Sequence, residues 1–368
     1  MIEVLTAGDS HGEALFGIVS GFPAGFEVDI DRINSDLLRR QGGYGRGKRM
    51  QLEHDKVEIL SGLWNGTTTG APLTFVVKNR AKDLSKEPRY IPRPGHADYS
   101  AWKKFDLQDL NIYVERSSAR SSAMTVAIGS FFKQFLEKFN IRIEGFVKSI
   151  GNIELDEMDF ENIDELVKLR DKSELYCPDI ETTDRMKELI DSAKEKGDTL
   201  GGSFVVVAKN VPAGLGNYSQ PENRLDARLA LEIMGIPSVK GVLIGDILKT
   251  FKNFGSEAHD EFQIKNGKVR RTTNRAGGIE GGISNGEDVV ITALLKPIPT
   301  LSKGLRSVNI KENKEETAPY VRSDVVVLPA ASVVGEAVVS KVVACELLKR
   351  YGGDNFHVIY ERWQKDAQ

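Results

Sequence analysis

The 368-residue chain predicts an α+β fold in which a duplicated unit sets two sheets around shared buried helices. Three observations carry this. Residues 332–351, S-V-V-G-E-A-V-V-S-K-V-V-A-C-E-L-L-K-R-Y, are apolar on nearly every face, as suits a helix enclosed on all sides. Runs at 73–78, 203–208, 239–244 and 288–295 are rich in Val, Ile and Thr and bounded by Gly, Pro or Asn, which marks strands. F-P-A-G at 22–25 returns as V-P-A-G at 211–214, and N-G-T-T-T-G-A-P-L-T-F-V-V-K at 65–78 is echoed by N-G-E-D-V-V-I-T-A-L-L-K at 285–296. The two pairs are offset by 189 and 220 residues, so a repeat must have absorbed insertions, and matches this short also arise by chance.

The helices follow in order. Residues 31–40 form a short helix that delivers Arg39 and Arg40 to a glycine-rich loop. In 121–140, Val126, Ala127, Phe131, Phe135 and Phe139 recur at helical spacing, with serines available as N-caps. Residues 154–197 are the most polar tract and read as a helical excursion on the surface, with a charged helix at 183–196 stopped by Gly197 and no chemistry expected. A helix at 224–234 is apolar on one side, and 332–351 ends at Gly352-Gly353. The chain reads as one domain, 1–368, with pseudo-repeat halves near 1–150 and 200–352.

Composition narrows the function. With 40% hydrophobic and 28% charged residues, the chain can bury a full core. No run of 18 apolar residues suggests a membrane span, and the start, M-I-E-V-L-T-A-G-D-S-H-G, does not resemble a secretory signal. Cys177 and Cys345 lack metal or redox spacing and fit a reducing cytoplasm. A net charge of -3 argues against a general nucleic-acid binder. Against that balance stands Q-G-G-Y-G-R-G-K-R-M at 41–50, with four glycines and three cations directly after Arg39 and Arg40. The cations read as a local anion site.

Two of the five histidines stand in turn-like contexts beside carboxylates. His11 lies in A-G-D-S-H-G and His96 in P-R-P-G-H-A-D-Y, whereas His54, His259 and His357 read as surface residues. Either histidine suits proton transfer near neutrality, or could simply be satisfied by a nearby carbonyl. No ligand spacing supports a metal. Arg93, Arg116, Arg120 and Arg322 also stand beside Gly, Ser or Pro. R-S-S-A-R at 116–120 precedes a long helix, where hydroxyls and free N–H groups favour an anion, and arginine grips phosphate or carboxylate at two points. A-G-G-I-E-G-G-I-S-N-G at 276–286 and K-P-I-P-T at 296–300 add possible ligand contacts. Neither a G-x-x-x-x-G-K-[ST] phosphate loop nor a Rossmann glycine pattern is present.

Taken in order, G-D-S-H-G, the Arg/Gly loop 39–49, R-P-G-H-A-D, R-S-S-A-R, V-P-A-G-L-G, the 276–286 run, K-P-I-P-T and R-S-D-V resemble the chorismate synthase family, from about residue 6 to 335. The resemblance implies a three-layer β/α/β fold with internal duplication and a homotetramer. It implies a lyase converting 5-enolpyruvylshikimate 3-phosphate to chorismate and phosphate by 1,4-elimination with reduced FMN, the final step of the shikimate pathway. On this resemblance His11 protonates the departing phosphate, His96 serves the flavin near N1, and Asp324 works with flavin N5 to remove the ring proton. Ser10, Arg40, Arg46, Arg93, Arg120 and Arg322 bind the substrate's anionic groups. Arg116, Ser117, Ser118, Gly281, Lys296, Pro297, Ile298, Pro299 and Thr300 line the FMN site. Val114-Glu115 and Ser121-Ser122 around R-S-S-A-R depart from the family's usual glycines and Glu-Thr. The length leaves no room for a flavin-reductase domain, so an external source of reduced flavin is expected, with NADPH-dependent flavin reduction left open. The rivals are an FMN/NAD(P)H-dependent oxidoreductase, which would need a nicotinamide site, and an RNA-binding module built on the basic loop.

Overall fold

The computed structural model describes residues 2–46, 54–80, 87–265, 267–320 and 324–366. Its first unit runs β1 (Glu3–Gly8), β2 (Ala14–Ser20), α1 (Ile30–Gln41), β3 (Val57–Ser61), a small hairpin (Leu63–Trp64 with Thr67–Thr68) and β4 (Leu73–Lys78). Helices α2 (Asp98–Phe105), α3 (Asn111–Ser117) and α4 (Ser122–Glu137) follow. The four strands form one antiparallel sheet in the order β1-β2-β4-β3. The second unit repeats the plan. It runs β5 (Arg142–Ile150), β6 (Gly202–Lys209), β7 (Val239–Ile244) and β8 (Val289–Leu295), paired antiparallel in the order β7-β8-β6-β5, with a two-residue edge strand, Ile153–Glu154, beside β5. In both sheets the strands lie first, second, fourth, third. In both, a helix precedes the third strand and a long helix follows the fourth.

The insertion between β5 and β6 carries α5 (Ile163–Lys172) and α6 (Ile180–Glu195). Helix α7 (Leu225–Met234) precedes β7, α8 (Leu328–Tyr351) follows β8, and α9 (Phe356–Asp366) ends the described chain. Helices α4 and α8 pack against each other between the sheets, α4 against β2 and β4 and α8 against β5 and β6. Their contact is very close. A Cβ on Gly129 would lie 2.3 Å from Ala337 Cα, so only glycine lets the helices meet there. On the first-unit side Phe22 and Phe26 each pack edge to face against Phe131 and Phe135, with centroids 4.5–5.9 Å apart.

Helix α8 begins four residues before the expected start, because Pro329 occupies the first turn, where no N–H is needed. It ends as expected at Gly352, whose N–H bonds to Leu348 O. The sequence reading missed a charge inside this apolar helix. Glu336, 2% exposed, accepts hydrogen bonds from Arg39 (2.7 and 2.9 Å), Lys133 (2.7 Å), Arg170 (3.3 Å) and the backbone of Gly145 (2.9 Å). Burial pushes its carboxyl up, but the Arg39 and Lys133 charges outweigh this and hold it well below the usual range. The tract 154–197 is more than a surface excursion: Leu175, Cys177, Met186 and Ile190 are buried, and Arg170 joins the Glu336 network.

Candidate active site

His11 sits in the turn between β1 and β2, and this turn is strapped to the end of α3. Ser10 N–H donates to Glu115 O (3.1 Å), Ser10 Oγ to Ser118 Oγ (3.1 Å) and Arg116 Nη1 to Gly8 O (3.0 Å). The Glu115 carboxylate holds His11 itself, accepting from its backbone N–H and meeting Nδ1, each at 2.8 Å. From the other side Asn79 Nδ2 donates to Asp9 O and Gly12 O, both at 2.9 Å. The turn is fixed on two flanks.

His96 is held by a similar device. Its Nδ1 lies 2.6 Å from Asp98 Oδ1 at the start of α2. Asp98 is fully buried and also accepts from Arg93 Nε (2.9 Å), Arg93 N–H (3.1 Å) and Arg89 Nη2 (3.2 Å). Burial pushes the Asp98 carboxyl up, but the hydrogen bonds from His96 and Arg93 and the Arg93 charge hold it well below the usual carboxylate range. Arg93 Nη1 continues to Thr300 Oγ1 at 3.2 Å.

These groups line one cavity of about 770 Å³, within the span of small-molecule sites. His11, His96, Arg93, Ser117 and Ser118 face it from the first unit, and Lys296, Ile298, Pro299 and Thr300 from the second. Lys296 Nζ donates to Gly95 O, joining the two sides. Pro237 and Ser238 also line it, and neither was anticipated. Ser238 is held at φ 73°, a conformation no sequence pattern announces.

Arg40 and Arg120 are buried, 3% and 4% exposed, and share one carboxylate. Arg40 Nη2 donates to Asp55 at 2.9 Å, and Arg120 Nη1 to both Asp55 oxygens at 2.7 Å. Arg120 Nε reaches Asn79 Oδ1 at 2.9 Å, so the cluster is wired to the His11 turn. Arg40 is pushed below the usual arginine range chiefly by burial, against the pull of Asp55, with Arg46 and Arg120 adding repulsion. Asp55 went unread because E-H-D before β3 looks like solvated charge, and Asn79 because it merely ends β4.

Other candidates are placed differently. Arg46 pairs with Asp324 at 2.9 Å in a pocket of about 340 Å³, walled partly by Ile190 and Asp191, that adjoins the histidine cavity at Thr300. Ile190 and Asp191, in the tract 154–197, thus stand beside a candidate site. Ser10 is buried under the His11 turn, and Pro297 lies between cavity residues without lining the cavity. Arg116 is exposed toward a neighbouring groove lined by Val4, Thr6 and Thr125. Gly281 is at a hairpin between Ile279–Glu280 and Ile283–Ser284, away from the cavity lining. Arg322 lies outside the described residues.

The family described as chorismate synthase matches residues 2–348. Chorismate synthase of Thermotoga maritima is 47% identical over 99% of this chain and 96% of its own, and that of Alkaliphilus metalliredigens 44% identical over 99% of each. A solved structure, "Crystal Structure of Chorismate Synthase", superposes with a TM-score of 0.83 at 38% identity, covering 99% of this chain and 97% of that one. The chain belongs to the chorismate synthase family.

Proposed function

We propose that the cavity between the two units binds 5-enolpyruvylshikimate 3-phosphate beside a reduced FMN and eliminates phosphate across the ring to give chorismate. The chain is a lyase of this family, acting at the final step of the shikimate pathway, and the oxidoreductase alternative is not favoured. The observation that carries the site assignment is that His11 and His96, each with a carboxylate on Nδ1, line one cavity together with Arg93 and Lys296. The substrate's phosphate and two carboxylates match that cationic lining.

The residues present suit a flavin. Ile298 and Pro299 offer an apolar surface, and Ser118, Lys296 and Thr300 offer donors to a phosphate chain or ring edge, with Ser117 beside them donating to Tyr113 O. When bound, the reduced flavin supplies an electron-rich ring that eases departure of the phosphate. In our reading His11 gives a proton from Nε2 to the leaving phosphate oxygen, where a general acid lowers the cost of developing charge. His96, with Arg93 Nη2 3.1 Å from its Nε2, serves the flavin, and Asp324 receives the ring proton once Arg46 turns to the substrate. Ser10, Arg40, Arg46, Arg93, Arg120 and Arg322 serve the substrate and the 296–300 segment serves the flavin; Arg116 and Gly281 do not line this cavity and are given no role in it.

We further read the chain as one domain built from a pseudo-repeat with its joint near residue 140, a reading supported by the shared strand order of the two sheets. We also propose a homotetramer, in which another copy would cover the exposed Phe251, Phe254, Phe262 and Ile264. An external flavin reductase supplies the reductant. A cytoplasmic location is supported by the unbridged Cys177 and Cys345. No helix among the described residues is long and apolar enough to cross a membrane. Comparing turnover with reduced and with oxidised FMN, anaerobically, tests the reaction: product only with the reduced form supports it.

A further inference from the structure

We infer that Glu115 is the positioning residue of His11, fixing the proton on Nδ1 so that Nε2 is the nitrogen that exchanges a proton with the substrate. The inference rests on the reading of His11 as the proton donor to the leaving phosphate.

The geometry is a two-point clamp. One carboxylate oxygen accepts from the His11 backbone N–H and the other meets Nδ1, both at 2.8 Å, with the two side chains 16% and 17% exposed. An ionised carboxylate can only accept hydrogen bonds. Nδ1 must therefore carry hydrogen in the neutral ring as well as in the cation, and the hydrogen bond at one nitrogen dictates the role of the other. The backbone contact matters as much. It pins the carboxylate relative to the turn, so the ring plane is set by the main chain and not by a freely rotating partner.

A purely structural role fits the contacts less well. The turn is already held by three contacts that do not use the Glu115 carboxylate: Ser10 N–H to Glu115 O, Ser10 to Ser118, and Arg116 to Gly8 O. Asn79 adds two more from the opposite flank. What the carboxylate adds is contact with His11 alone. His96 shows the same chemistry on a different scaffold, with fully buried Asp98 on its Nδ1. Glu115 differs in lying at the cavity wall, so it can be altered with little loss of core packing.

Glu115→Gln is the informative change because it keeps shape. An amide has one accepting and one donating end. If its oxygen accepts from the backbone N–H, its NH2 faces Nδ1 and favours the opposite tautomer. If it is flipped, two donors confront each other at the backbone. Either way His11 loses the clamp.

The test uses full-length protein with reduced FMN under anaerobic conditions. We expect Glu115→Gln to lower kcat on the order of 10-fold to 10²-fold, within what acid–base groups supply, while KM stays near the wild-type value. In a His11→Ala background the same change should cost nothing further, because Glu115 acts through His11. Nitrogen NMR of histidine-labelled protein should show His11 protonated at Nδ1 in the wild type and shifted toward the Nε2 tautomer in Glu115→Gln; thermal unfolding checks that both remain folded. Wild-type kcat in Glu115→Gln while His11→Ala is slow would overturn this inference and spare the His11 role. So would equal losses in both backgrounds. Normal turnover in His11→Ala would overturn both together.

Discussion

Arg46 Nη1 stands 2.9 Å from Asp324 Oδ2, so a proposed substrate grip and the proposed proton acceptor neutralise each other. In our reading the substrate's anionic groups draw Arg46 away from Asp324. Asp324→Asn is therefore expected to lower kcat by about 10²-fold with KM little changed, since it removes a group used in the transition state. Arg46→Ala should mainly raise KM. Steady-state kinetics of the two variants checks the division, and interchange of the two patterns would refute it.

Asp55 makes a separate prediction. It balances two buried arginines, so Asp55→Asn leaves like charges facing each other in the interior. We expect a destabilisation of about 3–5 kcal/mol, the usual cost of breaking a buried pair from one side. Urea unfolding measures the loss. Calorimetry with substrate should also show weaker binding, because Arg120 and the His11 turn are linked through Asn79.

Exchange of either histidine tests the proton-transfer roles. His11→Ala and His96→Ala are each expected to cut turnover by about 10²-fold or more, the scale of general acid–base groups. Anaerobic single-turnover rates measure the effect. Near-normal rates in both folded variants would remove these roles.

Glu336 gives a pH prediction. Its folded carboxyl is held below its unfolded value of about 4.3, so the unfolded chain binds the proton more readily. The stability this contributes is present above that pH and is lost as pH falls through the folded value. Glu336→Gln should lower the melting temperature at neutral pH and flatten its decline below about pH 4.3. Thermal scans of both proteins across that window decide it. Parallel curves would mean that the network does not set acid stability.

Much of the fold was legible because local patterns agreed with burial. The strand at Leu73–Lys78 and the strand at Val239–Ile244 fall where Val and Ile runs between turn residues placed them, and the phenylalanines of Ser122–Glu137 point into the core as their spacing implied. His11 and His96 were legible because glycine and proline set them in turns beside carboxylates. Other parts had no local signature. Glu336 sits in an apolar helix and finds its cations on three other helices, none adjacent in sequence. Asp55 is meaningful only when Arg40 and Arg120 converge on it. Glu115 reads as an ordinary helix carboxylate until the β1–β2 turn folds against it. Ser238 lines the cavity from a positive-φ position that no sequence pattern announces. Pairings across long sequence separations are set by the topology, and short motifs do not encode them.

The central claim, that one cavity uses its histidines to expel phosphate beside a reduced flavin, is tested most directly by anaerobic stoichiometry. Protein, 5-enolpyruvylshikimate 3-phosphate and chemically reduced FMN are mixed, and chorismate, phosphate and flavin redox state are followed together. The account predicts equal amounts of chorismate and phosphate, no net flavin oxidation, and no product with oxidised FMN. Bound FMN without product, or flavin oxidised in step with substrate consumed, would contradict it.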